Sequence, residues 1–172
     1  MFRHKDEPGS APANVYQMHQ KMWAIGDDFW IENGAGQRMF KVDGKALRLR
    51  KTLLFQDASG RELYKIQSQL VTIREVMKIE RGDETVATVK KKLISPLRER
   101  YDVDLAGGGW KVQGNIVDHE YEIEGPAGPV AKVGKKWFRV RDTYGVEIAP
   151  GQDDALVLAV SVVVDQMAHP TR

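Results

Sequence analysis

Cysteine is absent from the 172-residue chain, and this absence excludes several kinds of chemistry at once. Without a thiol, the protein forms no disulfide, holds no metal through a thiolate and has no cysteine nucleophile. Its histidines number only four, and they are scattered along the chain without the close spacing typical of zinc sites. The sequence therefore predicts no metal site and no cofactor.

Long hydrophobic runs are also missing. The apolar stretch 155–164 is interrupted by Ser161 and is shorter than the roughly 18 apolar residues of a membrane-spanning helix. The first 20 residues are polar and lack the apolar core of a signal peptide. We expect residues 1–20 to be a loosely ordered tail, residues 21–169 to form one domain, and the protein to be cytoplasmic with no transmembrane segment.

Neither sign of charge is in large excess. The chain carries 26 basic and 24 acidic side chains, which gives a net charge of +2. A nucleic-acid-binding protein usually carries a strong basic excess, so we expect no nucleic-acid partner. Any surface that binds anions must come from local clustering of cations.

The sequence is rich in short segments in which apolar and polar residues alternate, as at 100–105 and 120–124. Turn dipeptides such as Asn33-Gly34 and Asp43-Gly44 separate these segments. In the last third of the chain, the predicted strands are 121–124, 130–133, 137–140 and 146–148. Short strands at regular spacing indicate a mainly β protein, built as a meander sheet or a barrel.

The final apolar segment, 153–167, requires a choice between strand and helix. Its many valines favour a strand, whereas its length favours a helix. Asp153 and Asp154 are suited to a helix N-terminus. A helix that is apolar on every side must be buried all round, and a closed antiparallel β-barrel around a central hydrophobic C-terminal α-helix meets that requirement.

Two parts of the chain resemble each other at a separation of about 70 residues. The sequence FKVDG at 40–44 is similar to WKVQG at 110–114, and the strand at 63–66 is similar to that at 130–133. One interpretation is a duplication that gives a pseudo-symmetric barrel. The other is that short β-hairpins resemble one another without common origin.

Residues 135–148, KKWFRVRDTYGVEI, together with the acidic turn and apolar helix that follow, resemble the LURP-one-related family. The segments 110–115 and 91–93 fit the same family, and the resemblance extends over 22–167. It implies the Tubby C-terminal-like fold, a closed barrel around a hydrophobic helix that is also associated with phospholipid scramblases. The lipid-binding motif of Tubby-type domains is not recognisable in this chain. Without a cysteine to acylate or a calcium loop, scramblase activity is not expected.

No assembled catalytic motif is present in the sequence, and we predict that the protein is not an enzyme. The best acid–base candidate is Asp118-His119-Glu120. In a strand, His119 would face away from the two acids, so we interpret it as an ordinary surface histidine. The run Gly107-Gly108-Gly109 lacks the spacing of a phosphate-binding loop.

Clusters of basic residues are the main functional signal. The candidate lipid- or anion-binding residues are Lys90, Lys91, Lys92, Arg98 and Arg100, with a second group at Lys135 and Lys136. Such cations can bind phosphate oxygens of a lipid headgroup. The alternative is a solvated strand edge, where lysines discourage edge-to-edge pairing.

The leading hypothesis is therefore a non-enzymatic barrel domain that binds anionic phospholipid or phosphoinositide peripherally at a membrane. The alternative is a protein-interaction or scaffold module that binds a protein partner through a sheet edge or an apolar surface. A third possibility, a barrel that holds a small apolar ligand, is disfavoured because the helix would fill the lumen.

Overall fold

The computed structural model describes residues 14–19, 28–44, 52–71, 74–95, 98–135 and 143–169. In this part of the chain, twelve strands precede one helix. The strands are β1 (Asn14–His19), β2 (Phe29–Asn33), β3 (Arg38–Asp43), β4 (Thr52–Asp57), β5 (Glu62–Val71), β6 (Arg74–Arg81), β7 (Glu84–Ser95), β8 (Arg98–Leu105), β9 (Trp110–Asn115), β10 (Glu120–Gly125), β11 (Gly128–Gly134) and β12 (Thr143–Ile148). The helix, α1, is Asp154–Ala168.

The twelve strands form one closed antiparallel barrel. Each strand pairs with the strands before and after it in sequence, and β1 pairs with β12 to complete the ring. A closed ring leaves no long sheet edge exposed to other chains. The predicted mainly β fold, a closed antiparallel barrel, is confirmed.

Alternation of residue type determines which side of each strand faces the barrel interior. In β10, Tyr121 and Ile123 are buried, whereas Glu120, Glu122 and Glu124 are exposed. Burying a large apolar side chain contributes about 1.5–3 kcal/mol. A register slip by one residue would place the glutamates inside, so this pattern fixes the register.

Hairpin turns are stabilised by side chains at the ends of strands. The Oδ1 atoms of Asn33 and Asp57 each accept two backbone N–H groups, from residues two and four positions later, at 2.9–3.0 Å. Gly36 and Gly60 complete these two turns with positive φ angles of 78° and 89°. The first of these turns lies at Asn33-Gly34, where the sequence predicted a turn.

The helix α1 occupies the barrel interior. Every residue from Val157 to Met167 is buried, which requires protein contacts on all sides of the helix. Ser161, the polar interruption of the apolar run, donates its hydroxyl to the carbonyl of Val157 at 3.0 Å. The choice of helix over strand for this segment is confirmed.

Asp153 caps the helix N-terminus, as the sequence predicted. Its backbone is extended, and its Oδ1 atom accepts the backbone N–H of Leu156 at 3.2 Å. We expect Asp153→Ala to lower the free energy of unfolding by about 1 kcal/mol, because the N–H loses its acceptor. Urea denaturation followed by circular dichroism measures this loss. Asp153→Ser keeps a capping oxygen and should restore most of the stability, and equal stability of both variants would contradict the capping role.

The barrel begins nearer the N-terminus than the expected boundary after residue 20. Asn14–His19 forms β1 and pairs on both sides, with β12 and with β2. Tyr16 and Met18 face the core, and the Tyr16 hydroxyl donates at 2.5 Å to Oδ2 of Asp154, the first residue of α1. Sheet pairing and burial therefore both hold this segment in the barrel. The polar composition of the N-terminal residues did not indicate this strand.

The segments of the proposed internal repeat lie in strands six places apart around the ring. Residues 40–44 overlap β3 and 110–114 lie in β9, while 63–66 lie in β5 and 130–133 in β11. Half of a twelve-stranded barrel separates the members of each pair. The duplication itself stays a prediction. The predicted strand 137–140 lies outside the described residues.

Candidate functional site

Basic side chains gather on the outer wall of the barrel, where β7, β8 and β9 lie side by side. Lys90 and Lys92 alternate with buried Val89 along β7, and their side chains are 49% and 46% exposed. In register, Lys90 lies opposite Asp102 and Lys92 lies opposite Arg100 on β8. The antiparallel pairing therefore brings three of the predicted cations onto one surface.

Each of these three cations contacts a carboxylate on β8. Lys90 Nζ lies 3.0 Å from Asp104 Oδ2, and Lys92 Nζ lies 2.7 Å from Asp102 Oδ2. Arg100 Nε lies 3.1 Å from the other oxygen of Asp102. A bound anion would compete with these acids for the cations.

Two further cations extend the surface onto the flanking strands. Lys111 of β9 lies opposite Asp102, and Lys78 of β6 lies opposite Thr88 of β7. We call this surface the basic face, made of Lys78, Lys90, Lys92, Arg100 and Lys111 with the acids Asp102 and Asp104. Within this definition five cations face two acids, a difference of three charges, and Glu124 of β10 lies opposite Lys111 at the border. The next strand, β10, is lined with glutamates and limits the basic face on that side.

Lys91 and Lys135 do not join this surface. Lys91 points to the same side of β7 as buried Val89, and its Nζ lies 3.0 Å from Glu99 Oε1. Lys135 is exposed beyond the end of β11, and its backbone N–H donates to Glu120 Oε1 at 3.0 Å. Arg98 belongs to β8, opposite Ser95. Lys136 lies outside the described residues.

A second group of chemically active side chains lies at the C-terminal end of α1. Asp165, only 1% exposed, is surrounded by His119, Tyr144 and His169. His119 Nδ1 lies 2.9 Å from Asp165 Oδ1, and the Tyr144 hydroxyl donates to Asp165 Oδ2 at 3.0 Å. His169 Nδ1 lies 3.6 Å from Asp165 Oδ1. We call these four residues the His–Asp cluster.

The interpretation of His119 as a surface histidine in a strand was wrong. The residue lies in the turn between β9 and β10, where its N–H donates to the carbonyl of Ile116 at 3.1 Å. Its φ of 55° is left-handed, which is uncommon for a residue other than glycine. This conformation turns the ring inward to stack on Tyr144, with 4.2 Å between ring centroids.

The surroundings of the cluster change the proton affinity of its members. Burial, and then the nearby Asp165 carboxylate, raise the pKa of the Tyr144 hydroxyl well above its usual value. The hydrogen bond to Asp165 raises the pKa of His169, which favours its charged form. The tyrosine therefore stays a neutral donor to the carboxylate.

Sequence reasoning missed this cluster because its members come from distant parts of the chain. A partial signal was available, since Asp165 and His169 are four residues apart and share one face of a helix. His119 gave no signal, because neither its left-handed turn nor its burial is visible in the residue pattern.

Comparison with known proteins places the fold in a family. The profile of the LURP-one-related family matches residues 14–165, which covers most of the chain and ends at the buried carboxylate of α1. The chain belongs to the LURP-one-related family.

Two known proteins are similar to this chain, one in sequence and one in structure. The uncharacterized protein YxjI of Bacillus subtilis (strain 168) is 28% identical over 152 residues, spanning 88% of this chain and 92% of YxjI. An X-ray structure of a protein from Arabidopsis thaliana superposes with a TM-score of 0.67 at 20% identity, covering 93% of this chain and 94% of that one. This second likeness shows that the two chains share a fold.

The segments that resembled the LURP-one-related family have defined places in the barrel. Trp110–Asn115 is β9, whose Lys111 belongs to the basic face. The segment 135–148 runs from the end of β11 into β12, which carries Tyr144 of the His–Asp cluster. Both candidate sites therefore include residues of family-like segments.

Proposed function

We propose that this LURP-one-related barrel is a non-enzymatic domain that binds anionic phospholipid headgroups, including phosphoinositides, at the surface of a membrane. The observation that carries this proposal is the basic face, where cations on four adjacent strands outnumber the acids between them. Cytoplasmic leaflets are rich in anionic lipid, so the proposal places the protein in the cytoplasm, peripheral to a membrane. In the described residues, no helix is long and apolar enough to cross a bilayer.

The existing ion pairs weaken such binding without preventing it. An exposed pair between a lysine and a carboxylate contributes only about 0–1 kcal/mol. A lysine near an anionic membrane contributes about 1 kcal/mol. Exchanging one contact for the other therefore gains about 0–1 kcal/mol for each cation, and binding requires several cations at once. Because these charges are exposed, added salt should weaken the binding.

Vesicle co-sedimentation tests the proposal. We expect the protein to pellet with vesicles that contain phosphatidylserine or a phosphoinositide and to stay in solution with phosphatidylcholine alone. Lys90→Gln combined with Lys92→Gln should weaken pelleting by about tenfold, since it removes two contacts of about 1 kcal/mol each, partly offset by the ion pairs already present. Lys132→Gln is a matched control, because Lys132 also pairs with an acid on a neighbouring strand, Glu122 at 3.4 Å, outside the basic face.

Removal of the competing acids gives the opposite expectation. Asp102→Asn with Asp104→Asn frees Lys90, Lys92 and Arg100 from their carboxylate partners and should strengthen pelleting with anionic vesicles. If the folded parent does not pellet with anionic vesicles at low salt, the lipid proposal is wrong. A module that binds a protein partner then becomes the better hypothesis.

A further inference from the structure

His169 points both of its ring nitrogens at oxygen atoms. Nε2 lies 3.1 Å from the carbonyl oxygen of Val117. Nδ1 lies 3.3 Å from the carbonyl oxygen of Asp165 and 3.6 Å from its carboxylate Oδ1. A neutral imidazole has only one N–H, so it can donate on one side alone. On the other side a positive charge, either a second proton or a metal ion, has to stand between the nitrogen and the oxygens.

The geometry on the Nδ1 side suits a metal ion. One ligand atom from each of His119, Asp165 and His169 lies within 4.8 Å of the other two. In a tetrahedral zinc site with bonds of about 2.0–2.1 Å, ligand atoms are about 3.3 Å apart. The two distances from Asp165 Oδ1, 2.9 Å to His119 and 3.6 Å to His169, lie on either side of that value.

We propose that His119, Asp165 and His169 form a binding site for a divalent first-row transition-metal ion, with zinc as its most suitable occupant. Two imidazole nitrogens and one carboxylate oxygen are the donors that zinc and its neighbours accept. Calcium and magnesium prefer oxygen ligands alone and are disfavoured here. This proposal does not depend on lipid binding, since the basic face shares none of these residues.

Neighbouring groups hold the proposed ligands in the orientation that a metal requires. In metal sites, a ligating histidine usually donates its second N–H to a carbonyl or a carboxylate. The carbonyl oxygen of Val117 lies 3.1 Å from Nε2 of His169, so with the proton on Nε2 it accepts in that way and Nδ1 faces the metal position. The Tyr144 hydroxyl donates to Oδ2 of Asp165, so Oδ1 is the oxygen that faces both histidines.

One side of the site is open to solvent. The His169 side chain is 36% exposed, whereas that of His119 is 6% exposed. A metal ion can therefore enter beside His169 and take a water or another small ligand as its fourth partner. Bound there, it would link the turn before β10 to the end of α1.

Isothermal titration of untagged, metal-free protein with zinc chloride tests the site. We expect one zinc ion per chain in the parent. His169→Gln should weaken the affinity by at least about tenfold, since even outer-sphere substitutions cost that much. His169 is a partly exposed residue at the helix end, so this variant should fold like the parent by circular dichroism. His4→Gln is the control for loss of a histidine elsewhere in the chain.

A second variant and a second ion strengthen the test. His119→Asn keeps a residue that tolerates the left-handed conformation and should also weaken zinc binding by at least about tenfold. Cobalt(II) should give the visible absorption of a low-coordinate nitrogen–oxygen site in the parent and lose it in His169→Gln. Absence of zinc binding by the folded parent, or equal affinity in the parent and His169→Gln, would overturn the proposal.

Discussion

Val160→Asp is expected to lower the free energy of unfolding by about 3–5 kcal/mol, the cost of an uncompensated buried charge. Val160 lies midway along α1 and has no solvent exposure. In the barrel interior, an aspartate carboxylate loses its hydration and gains no cation to replace it. Domains of this kind are stable by only about 5–15 kcal/mol, so a large part of the stability should be lost. Urea denaturation followed by circular dichroism measures the change.

The same residue change at the surface provides the control. Val117 is 53% exposed, and Val117→Asp should alter the free energy of unfolding by no more than about 0.5 kcal/mol. Val160→Ala separates lost packing from buried charge, and it should be less damaging than Val160→Asp. If Val160→Asp were as stable as Val117→Asp, the helix could not lie in the centre of the barrel.

The position of this helix could be predicted because its burial is directly visible in the residue pattern. A segment that is apolar on every side has to be surrounded by protein, and a β-rich chain offers a barrel interior. The N-terminal strand gave no comparable signal. Tyr16 and Met18 are the inward residues of β1, but Val15 interrupts their alternation with polar residues, and the segment follows a polar stretch. The place of β1 in the barrel depends on pairing with β12, nearly 130 residues away in the sequence.

The two candidate sites could be predicted from the sequence to different degrees. The cations of β7 and β8 were visible as clusters, yet their acidic partners were not, because cross-strand pairing depends on register. Asp102 and Asp104 belong to the same alternating segment as Arg100, and only the hairpin brings them against Lys92 and Lys90. The His–Asp cluster requires still more, since a left-handed turn at residue 119 and a helix end at 169 have to meet in space.

Gly114→Ala should be the most damaging conservative change in the sheet, with an expected loss of about 2–5 kcal/mol from backbone strain and overpacking together. Gly114 ends the WKVQG segment of β9 and has a φ of 140°, a conformation that side chains rarely adopt. A Cβ atom there would lie 2.6 Å from the carbonyl oxygen of Glu120 and 2.7 Å from Cα of Tyr121. Both obstacles are backbone atoms of the paired strand, so no side-chain rotation relieves them.

Two other glycines separate the contributions to this loss. Gly128 also has a positive φ, 124°, but no atom lies within 4 Å of an added Cβ, so Gly128→Ala should cost only the backbone strain of about 1–2 kcal/mol. Gly107 has neither a positive φ nor a nearby atom, and Gly107→Ala should change stability by no more than about 0.5 kcal/mol. The predicted order of urea midpoints is therefore Gly107→Ala, Gly128→Ala and then Gly114→Ala, from highest to lowest. If Gly114→Ala proved no worse than Gly128→Ala, the close approach of β9 and β10 would not limit this position. The requirement for glycine would then come from its φ angle alone.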